Sequence, residues 1–542
     1  MKNQSKKLLS LFLAVLMLTT LLAGCGGTPS TTPTGNTPAA STAPDSTPEG
    51  NASNLPAGDG VLNVGSQNGL DTLTPFRANI MRDHPILKPL FEALAVINVD
   101  REVEPWVAKN WSTEDNGFNY DIEIWDIVTD SEGNHITASD IVWFIQRSME
   151  AALKPAYSKI ESVEQTGDYT LRVTLKTNLV GTFERILEDT FVISQAAFEA
   201  SADSFGSHAV TTSAYKVVNF TASSVLAFEK RDDYWQNIEF LPASVRPMVE
   251  KVTYHTIAEA SQLGIALETG IIDVAYQIPA ATGVQFVDND EFTFDPTEGP
   301  QGYQLFFSGS ETSYLFDNLA LRQAICYSID PQGLITGFAS GYGDFMYDVC
   351  PPGMIGFNPA WKNENYYDYD IEKAKQLVVE SGYNGEELVF LATNSMQRLV
   401  EILQNYMAAI GVNVKLDIVD MALYTATRLD GTKYDMTINT IGGTFMPDHW
   451  SIRYDPAAYA TGDATSRHDY VLGDLLYKTW TPSGFTPENI NEVRKYIRDN
   501  AIAYGLMNAN NIAVWNNNVD MQERVLGFSN AIAPSACIYG NV

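Results

Sequence analysis

The sequence predicts an α/β fold, on three observations. Leu399, Ile402, Leu403, Tyr406, Met407 and Ile410 recur at helical spacing, Gly411 follows, and Val412, Val414, Leu416 and Ile418 alternate as a strand. Phe118, Tyr120, Ile122 and Ile124 alternate as one face of a half-buried strand, and Leu171, Val173 and Leu175 repeat that pattern. Between these strands, Thr137 stands three residues before Asp140, at the head of a stripe formed by Ile141, Phe144, Ile145 and Met149. That spacing is the signature of a capped helix.

Taken in order, the chain begins with Lys2, Lys6 and Lys7, an apolar run over 8–22, and Leu22-Ala23-Gly24-Cys25. The run is shorter than the roughly 20 residues that span a bilayer. It suits the apolar core of a signal sequence, without the A-x-A ending of an ordinary secretory one. Residues 28–60 are almost wholly Thr, Ser, Pro, Ala, Gly and Asn. Such a segment buries too little apolar surface to offset its ordering entropy. It reads as a tether, stiffened by Pro29, Pro33, Pro38, Pro44 and Pro48. The start as a whole resembles a bacterial lipoprotein signal. The resemblance implies that residues 1–24 are removed, that the Cys25 thiol carries a diacylglyceryl lipid anchor, and that all later residues sit on the outer face of the cell membrane.

The body, 61–542, is long enough for two or three domains. It opens on a strand at Val61, Leu62, Asn63, Val64 and Gly65, broken by Ser66, Gln67, Asn68 and Gly69. Further on, Leu321, Ala324, Ile325, Ser328 and Ile329 keep helical spacing, with Asp317 expected as cap and Asp330-Pro331 as stop. Asp370 is expected to cap a helix bearing Ile371, Ala374, Leu377 and Val378, closed by Gly382. No internal repeat and no linker interrupts the body, so its parts are expected to pack closely and share strands.

Hydrophobic residues make up 45% and aromatics 11%, enough for substantial cores. The formal net charge is -32, from 66 acidic and 34 basic residues. That balance excludes nucleic acid as a partner, whose phosphates need Lys and Arg. With Cys25 lipidated, Cys326, Cys350 and Cys537 remain. They allow one bridge plus a free thiol, or three unpaired thiols; unpaired, partly buried cysteines are the expectation in a body this large. No Cys/His spacing suggests a metal, and no cofactor is expected. G-x-S-x-G, H-E-x-x-H and the P-loop are absent, and Gly341-Tyr342-Gly343 lacks the last glycine of a dinucleotide fingerprint, so the sequence does not read as an enzyme.

A set of motifs resembles the family-five extracellular solute-binding proteins, the receptors of oligopeptide, dipeptide and nickel ABC importers. Leu90-Phe91-Glu92-Ala93-Leu94 with Val103-Glu104-Pro105-Trp106 and Trp111 resembles the family's opening. Gly133 with Ile136-Thr137-Ala138-Ser139-Asp140 resembles its first helix start, and Arg231-Asp232-Asp233-Tyr234-Trp235 its "YW" turn. Leu267-Glu268-Thr269-Gly270 with Asp273, Leu321-Arg322-Gln323-Ala324-Ile325, and Tyr369-Asp370-Ile371-Glu372-Lys373-Ala374 follow in the family's order. Arg322, Asp273 and Trp235 read as framework rather than ligand contacts.

The resemblance implies a two-lobed fold of the periplasmic-binding-protein kind, class II, cluster C. Lobe I would take 61–305 with 505–542 and carry a subdomain over about 93–204; lobe II would take 306–504. The chain crossings are expected near 301–307 and 501–514. A peptide or other small polar solute would be enclosed between the lobes, and an ABC permease in the membrane would read the closed form of the monomer. Alternatives of another class are a receptor for an oligosaccharide or other non-peptide solute, and a surface sensor or adhesin on the same fold.

The sequence departs from the family at two places. Ser213 and Ala214 replace the Gly and Pro of a turn before Tyr215. In peptide-binding members a loop Asp pairs with the ligand's α-ammonium, and here Thr444 falls at that position. A neutral hydroxyl cannot replace a buried carboxylate opposite an ammonium. The ligand-facing candidates implied by the family lie around this loop. Phe445 and Trp450 offer rings for stacking on an apolar side chain or sugar face, or belong to lobe packing. Asp448 and Arg453 are polar anchors or a solvated rim. His449 has no second histidine at metal-ligand spacing and reads as a surface or hydrogen-bonded residue. Gln67 and Asn68 line the cleft or simply form a turn. Trp515 faces the ligand or caps the hinge core.

Overall fold

The computed structural model describes residues 60–76, 90–97 and 102–519, apart from 114, 116, 152, 154, 237–246, 248, 299–301, 353, 443–444, 458–464, 466 and 468. Cys25, the signal and tether residues 1–59, Thr444 and Cys537 lie outside the described residues.

Two large sheets organise the body. The first has seven strands in the spatial order Phe292–Thr297, Asn511–Asn516, Val274–Tyr276, Val61–Ser66, Lys251–Thr256, Val225–Lys230 and Tyr215–Thr221. Val61–Ser66 runs parallel to both of its neighbours, while Asn511–Asn516 is antiparallel to both of its own. The second has six strands, ordered Gly343–Phe345, Ala503–Ala509, Gly302–Phe307, Met436–Ile441, Leu388–Thr393 and Val414–Val419. The chain therefore passes between sheets twice, after Phe292–Thr297 and between Ala503–Ala509 and Asn511–Asn516. A smaller four-stranded sheet, Ala108–Ser112, Asn119–Ile124, Thr170–Leu175 and Ile160–Gly167, is packed with the Ala138–Glu150 helix.

Local chemistry explains the elements that frame these sheets. Thr137 and Asp140 form a reciprocal capping box at the Ala138–Glu150 helix, whose Ile141, Phe144 and Ile145 are buried while Met149 is only half-buried. Asp370 accepts the Lys373 amide and starts Ile371–Glu380, and Gly382 and Gly411 take the positive φ that ends this helix and Gln397–Ala409. Two expectations need correction. The Leu319–Tyr327 helix is capped by Asn318, whose side chain accepts the Leu321 amide, and not by Asp317. Asp330-Pro331 opens a new helix, Pro331–Ala339, rather than only stopping the previous one: Asp330 accepts the Gln332 amide, and proline fits the first helical position, where no intrahelical N–H bond is lost.

Each sheet is covered on both faces. On the seven-stranded sheet, Leu62, Val64, Val252 and Trp515 join Phe91, Ile141 and Phe144 in one core, and Ile512 and Val514 face Leu263, Leu267 and Phe286 on the other side. On the six-stranded sheet, Leu305, Phe307 and Met436 pack on Leu321, Ile325 and Leu403, while Phe306 and Ile441 pack on Met446, Trp450, Leu476 and Val493.

The motif residues read as framework are framework. Arg322, 5% exposed, donates to the carbonyls of Leu315, Phe316, Asn500 and Ala501. Asp273 accepts from the Asn63 amide and side chain, and Trp235 Nε1 donates to buried Glu92 at 2.8 Å. Cys326 and Cys350 are free, buried thiols. Among the described residues no helix is long and apolar enough to cross a membrane.

Candidate functional site

The site is built where lobe II meets the four-stranded subdomain. After Met436–Ile441 the chain turns at Phe445 and enters the Met446–Arg453 helix. Pro447 occupies its first turn with acidic Asp448, and Arg453 its last turn, each complementing the helix dipole. Opposite stands the Thr182–Asp189 helix of the subdomain, entered through Gly181 at φ 91. A side chain at Gly181 would put its Cβ 2.5 Å from Cβ of Phe445, so glycine is required both by backbone conformation and by close approach. The Val180 amide donates to the Trp480 carbonyl at 2.8 Å, a second backbone-level contact between the two parts.

Charged groups face one another across this contact. Arg185 Nη1 donates to Asp448 Oδ2 at 2.5 Å, with side-chain exposures of 4% and 5%. Arg185 Nε lies 3.7 Å from Asp189 Oδ2, one helical turn on. Lys159 Nζ donates to Ser451 Oγ at 3.3 Å. Burial holds the Lys159 ammonium below its ordinary pKa, opposed by the charges of Asp448 and Asp455. Burial pushes the Glu184 carboxyl up, and the negative charge of Asp448 adds to that shift. Two subdomain cations thus meet lobe II carboxylates in a poorly hydrated place, where such attractions are strong but costly to leave unpaired.

Polar groups with no hydrogen-bond partner among the described residues lie beside this contact. Gln304 and Asn439 stand directly opposite one another on neighbouring strands. The Tyr454 hydroxyl donates to Gln304 Oε1 at 2.9 Å, which leaves Gln304 Nε2 buried and unused. Asn439 Nδ2, Trp450 Nε1, Trp480 Nε1 and Thr182 Oγ1 are buried and unused as well. Four of these five are N–H donors only, so the surface they make is chemically suited to carbonyl, carboxylate or similar acceptor oxygens.

The residues singled out from sequence fall in different places. Phe445, Asp448, His449, Trp450 and Arg453 come together on one short helix and its entry. Asp448 is neither a free anchor nor a rim residue; it is buried against Arg185. His449 is 8% exposed, so of its two readings, surface or hydrogen-bonded, the first does not hold. Trp450 is 0% exposed in the lobe II core. Phe445 is half-buried, its ring centroid 6.3 Å from that of Phe485. Gln67 donates to the Ala258 carbonyl at 2.7 Å, and exposed Asn68 bonds Ser66 Oγ through its amide, just past the end of the Val61–Ser66 strand. Trp515 sits in the seven-stranded sheet between Val274 and Thr293, 6% exposed in the lobe I core. The sequence alone does not mark Lys159, Arg185, Gln304 or Asn439. The one local signal was the i,i+4 pair Arg185/Asp189 inside a helix that also carries Phe183, Ile186 and Leu187. Among the described residues no group of His, Cys, Asp and Glu side chains is disposed to hold a metal.

Two sheets joined by two chain passages, with a polar junction between lobes, define the class II periplasmic binding proteins. The sequence profile of the bacterial extracellular solute-binding proteins, family 5 (middle region) matches residues 102–460, and the chain belongs to that family. Its members are receptors of ABC importers and not enzymes. The chain is 25% identical over 440 residues to the glutathione-binding protein GsiB of Escherichia coli O157:H7, covering 79% of this chain and 80% of that one. It shares its fold with the ABC transporter-associated periplasmic binding protein DppA of Helicobacter pylori in complex with the peptide STSA, at TM-score 0.72 and 19% identity, over 88% of this chain and 99% of that one. NikA from Brucella suis in complex with Fe(III)-EDTA aligns at TM-score 0.74 and 18% identity, over 86% and 97%.

Proposed function

We propose that this chain is a lipid-anchored receptor on the outer face of the cell membrane that captures a peptide or peptide-like solute between its lobes and delivers it, unaltered, to an ABC permease. Capture works by population shift: solute that touches both lobes only when they are together favours the closed arrangement. The observation that carries the choice of solute is the set of unused donors, Gln304 Nε2, Asn439 Nδ2 and Trp450 Nε1, which call for acceptor oxygens such as peptide carbonyls and carboxylates. Asp448 is already held by Arg185, and Thr444 is neutral, so the carboxylate that would fix a free α-ammonium is missing from this loop. The reading therefore favours peptides whose α-amino group is blocked; glutathione, named for the GsiB relatives, keeps a free α-ammonium on its γ-linked glutamate and is the contrasting ligand to try.

The test is native mass spectrometry of the full chain as isolated, followed by calorimetric titration of the ligand-stripped chain with glutathione, N-acetylated peptides and their free-amine counterparts. Blocked or modified peptides should bind more tightly, and Gln304→Leu should weaken that binding. Tight binding of ordinary free-amine peptides alone would overturn the assigned selectivity, and recovery of a cleaved solute would overturn the receptor itself.

A further inference from the structure

A cavity of about 560 Å³ lies within lobe II, on the side of the Gly343–Phe345 edge strand. Its walls come from that strand, from the start of the Pro331–Ala339 helix and from the 348–362 segment. Among the described residues, none from a strand of the seven-stranded sheet lines it, and none of those at the inter-lobe contact does either; Asn508 comes from Ala503–Ala509 of the six-stranded sheet. The volume falls within the range of small-molecule sites.

The walls carry one kind of chemistry. Phe345, Phe357 and Trp361 supply aromatic surface. Asp330 and Asp344 supply carboxylates, and neither makes an ion pair among the described residues. Among the described lining residues the one Lys or Arg is Lys362, which is turned to Glu298 at 2.8 Å. Asp348 is spent on Arg494 and Arg498. Asn508 adds a separate indication. It is 0% exposed and its Nδ2 donates to Glu298 at 3.3 Å. A carboxylate only accepts, so the amide cannot be turned the other way, and Oδ1 is left as a buried acceptor without a partner. An unused acceptor, unpaired carboxylates and aromatic faces in one chamber are the complement of a positively charged donor with an apolar body.

We propose that this cavity is a second binding site, separate from the inter-lobe one, for a small organic cation: a primary ammonium on an aromatic or aliphatic frame. The ammonium sits toward Asp330, Asp344 and Asn508 Oδ1, and the frame lies on Phe345 and Trp361. Glu298, which holds both Lys362 and Asn508, stands just before the first passage between the sheets, so the chamber adjoins the hinge.

The experiment uses the full chain with benzylammonium as probe and benzyl alcohol as its neutral counterpart, read by calorimetry and by Trp fluorescence. Benzylammonium should bind saturably and benzyl alcohol should not; this comparison needs no variant. Asp330→Asn with Asp344→Asn should weaken benzylammonium by about tenfold or more, the loss of charge-assisted bonds, because Asn preserves both shape and the helix cap. Gln304→Leu, which damages the inter-lobe site, should leave benzylammonium binding unchanged. Equal binding of the two probes, binding that survives the double Asn variant, or binding lost in Gln304→Leu would each overturn the proposal. None of these outcomes bears on whether the inter-lobe site takes a peptide.

Discussion

Arg185 of the subdomain and Asp448 of lobe II, 263 positions apart in sequence, share a 2.5 Å hydrogen bond with almost no exposure of either side chain. This pair is made only when the two parts of the molecule are together. Separating them would place both charges in water, which is less costly than leaving one of them buried alone. The consequence is asymmetric. Arg185→Met leaves Asp448 buried and uncompensated and should weaken solute binding by about 2–5 kcal/mol of the closed form's stability, whereas Arg185→Met with Asp448→Leu should recover much of that loss. Titration calorimetry on both variants, with small-angle scattering to follow lobe separation, checks it.

Gly181 touches the same junction without charge. Its positive φ and the nearness of Phe445 leave no room for a methyl group. Gly181→Ala should cost about 1–3 kcal/mol, through strain and overpacking. Most of that cost should fall on solute affinity, because opening the lobes relieves the clash with Phe445; equal losses of affinity and of apo melting temperature would contradict it.

Arg322 stitches the Leu319–Tyr327 helix to the turns at 315–316 and 500–501 through four carbonyls. Arg322→Met removes the donor and leaves those acceptors in a dry place. The expected loss is roughly 3–5 kcal/mol in denaturant unfolding, with solute affinity per folded molecule unchanged. Arg322→Lys should recover only part, since an ammonium cannot reach all four.

Glu92 gives the fold a pH dependence. Burial raises its pKa from 4.5 to about 8, although hydrogen bonds from Tyr234 and Trp235 and the charge of Arg231 oppose the shift. The folded pKa lies above the unfolded one, so the folded chain binds the proton more tightly. This contribution is fully present below about pH 4.5 and is lost as pH rises through about 8. Glu92→Gln, which stays neutral, should flatten the fall in stability across that window; thermal melts of both forms from acid to mild alkali check it.

Local rules carried much of the architecture because the elements obey them. Thr137 with Asp140, Asp370 with its helix, and Gly411 before Val414–Val419 each act within a few residues, where capping and periodicity operate. The Asp330-Pro331 pair shows the limit: the same two residues end one helix or begin another, and only the chain that follows decides. The junction was mostly illegible. Nothing near Arg185 announces Asp448, nothing near Gln304 announces Asn439, and no spacing rule reaches across lobes. Asp448 itself stands out in the sequence, but as a polar anchor or rim residue, because its partner Arg185 lies 263 positions away.

The strand Asn511–Asn516 lies inside the first sheet, flanked by Val274–Tyr276 and Phe292–Thr297. A polypeptide emerging from its amino end must keep that slot vacant while the whole second lobe is being made. The six-stranded sheet waits too, since Ala503–Ala509 sits between Gly302–Phe307 and Gly343–Phe345. Neither half can finish before the last stretch of chain arrives, so the two are expected to mature together and late, and a chain cut short ahead of those strands should gain neither.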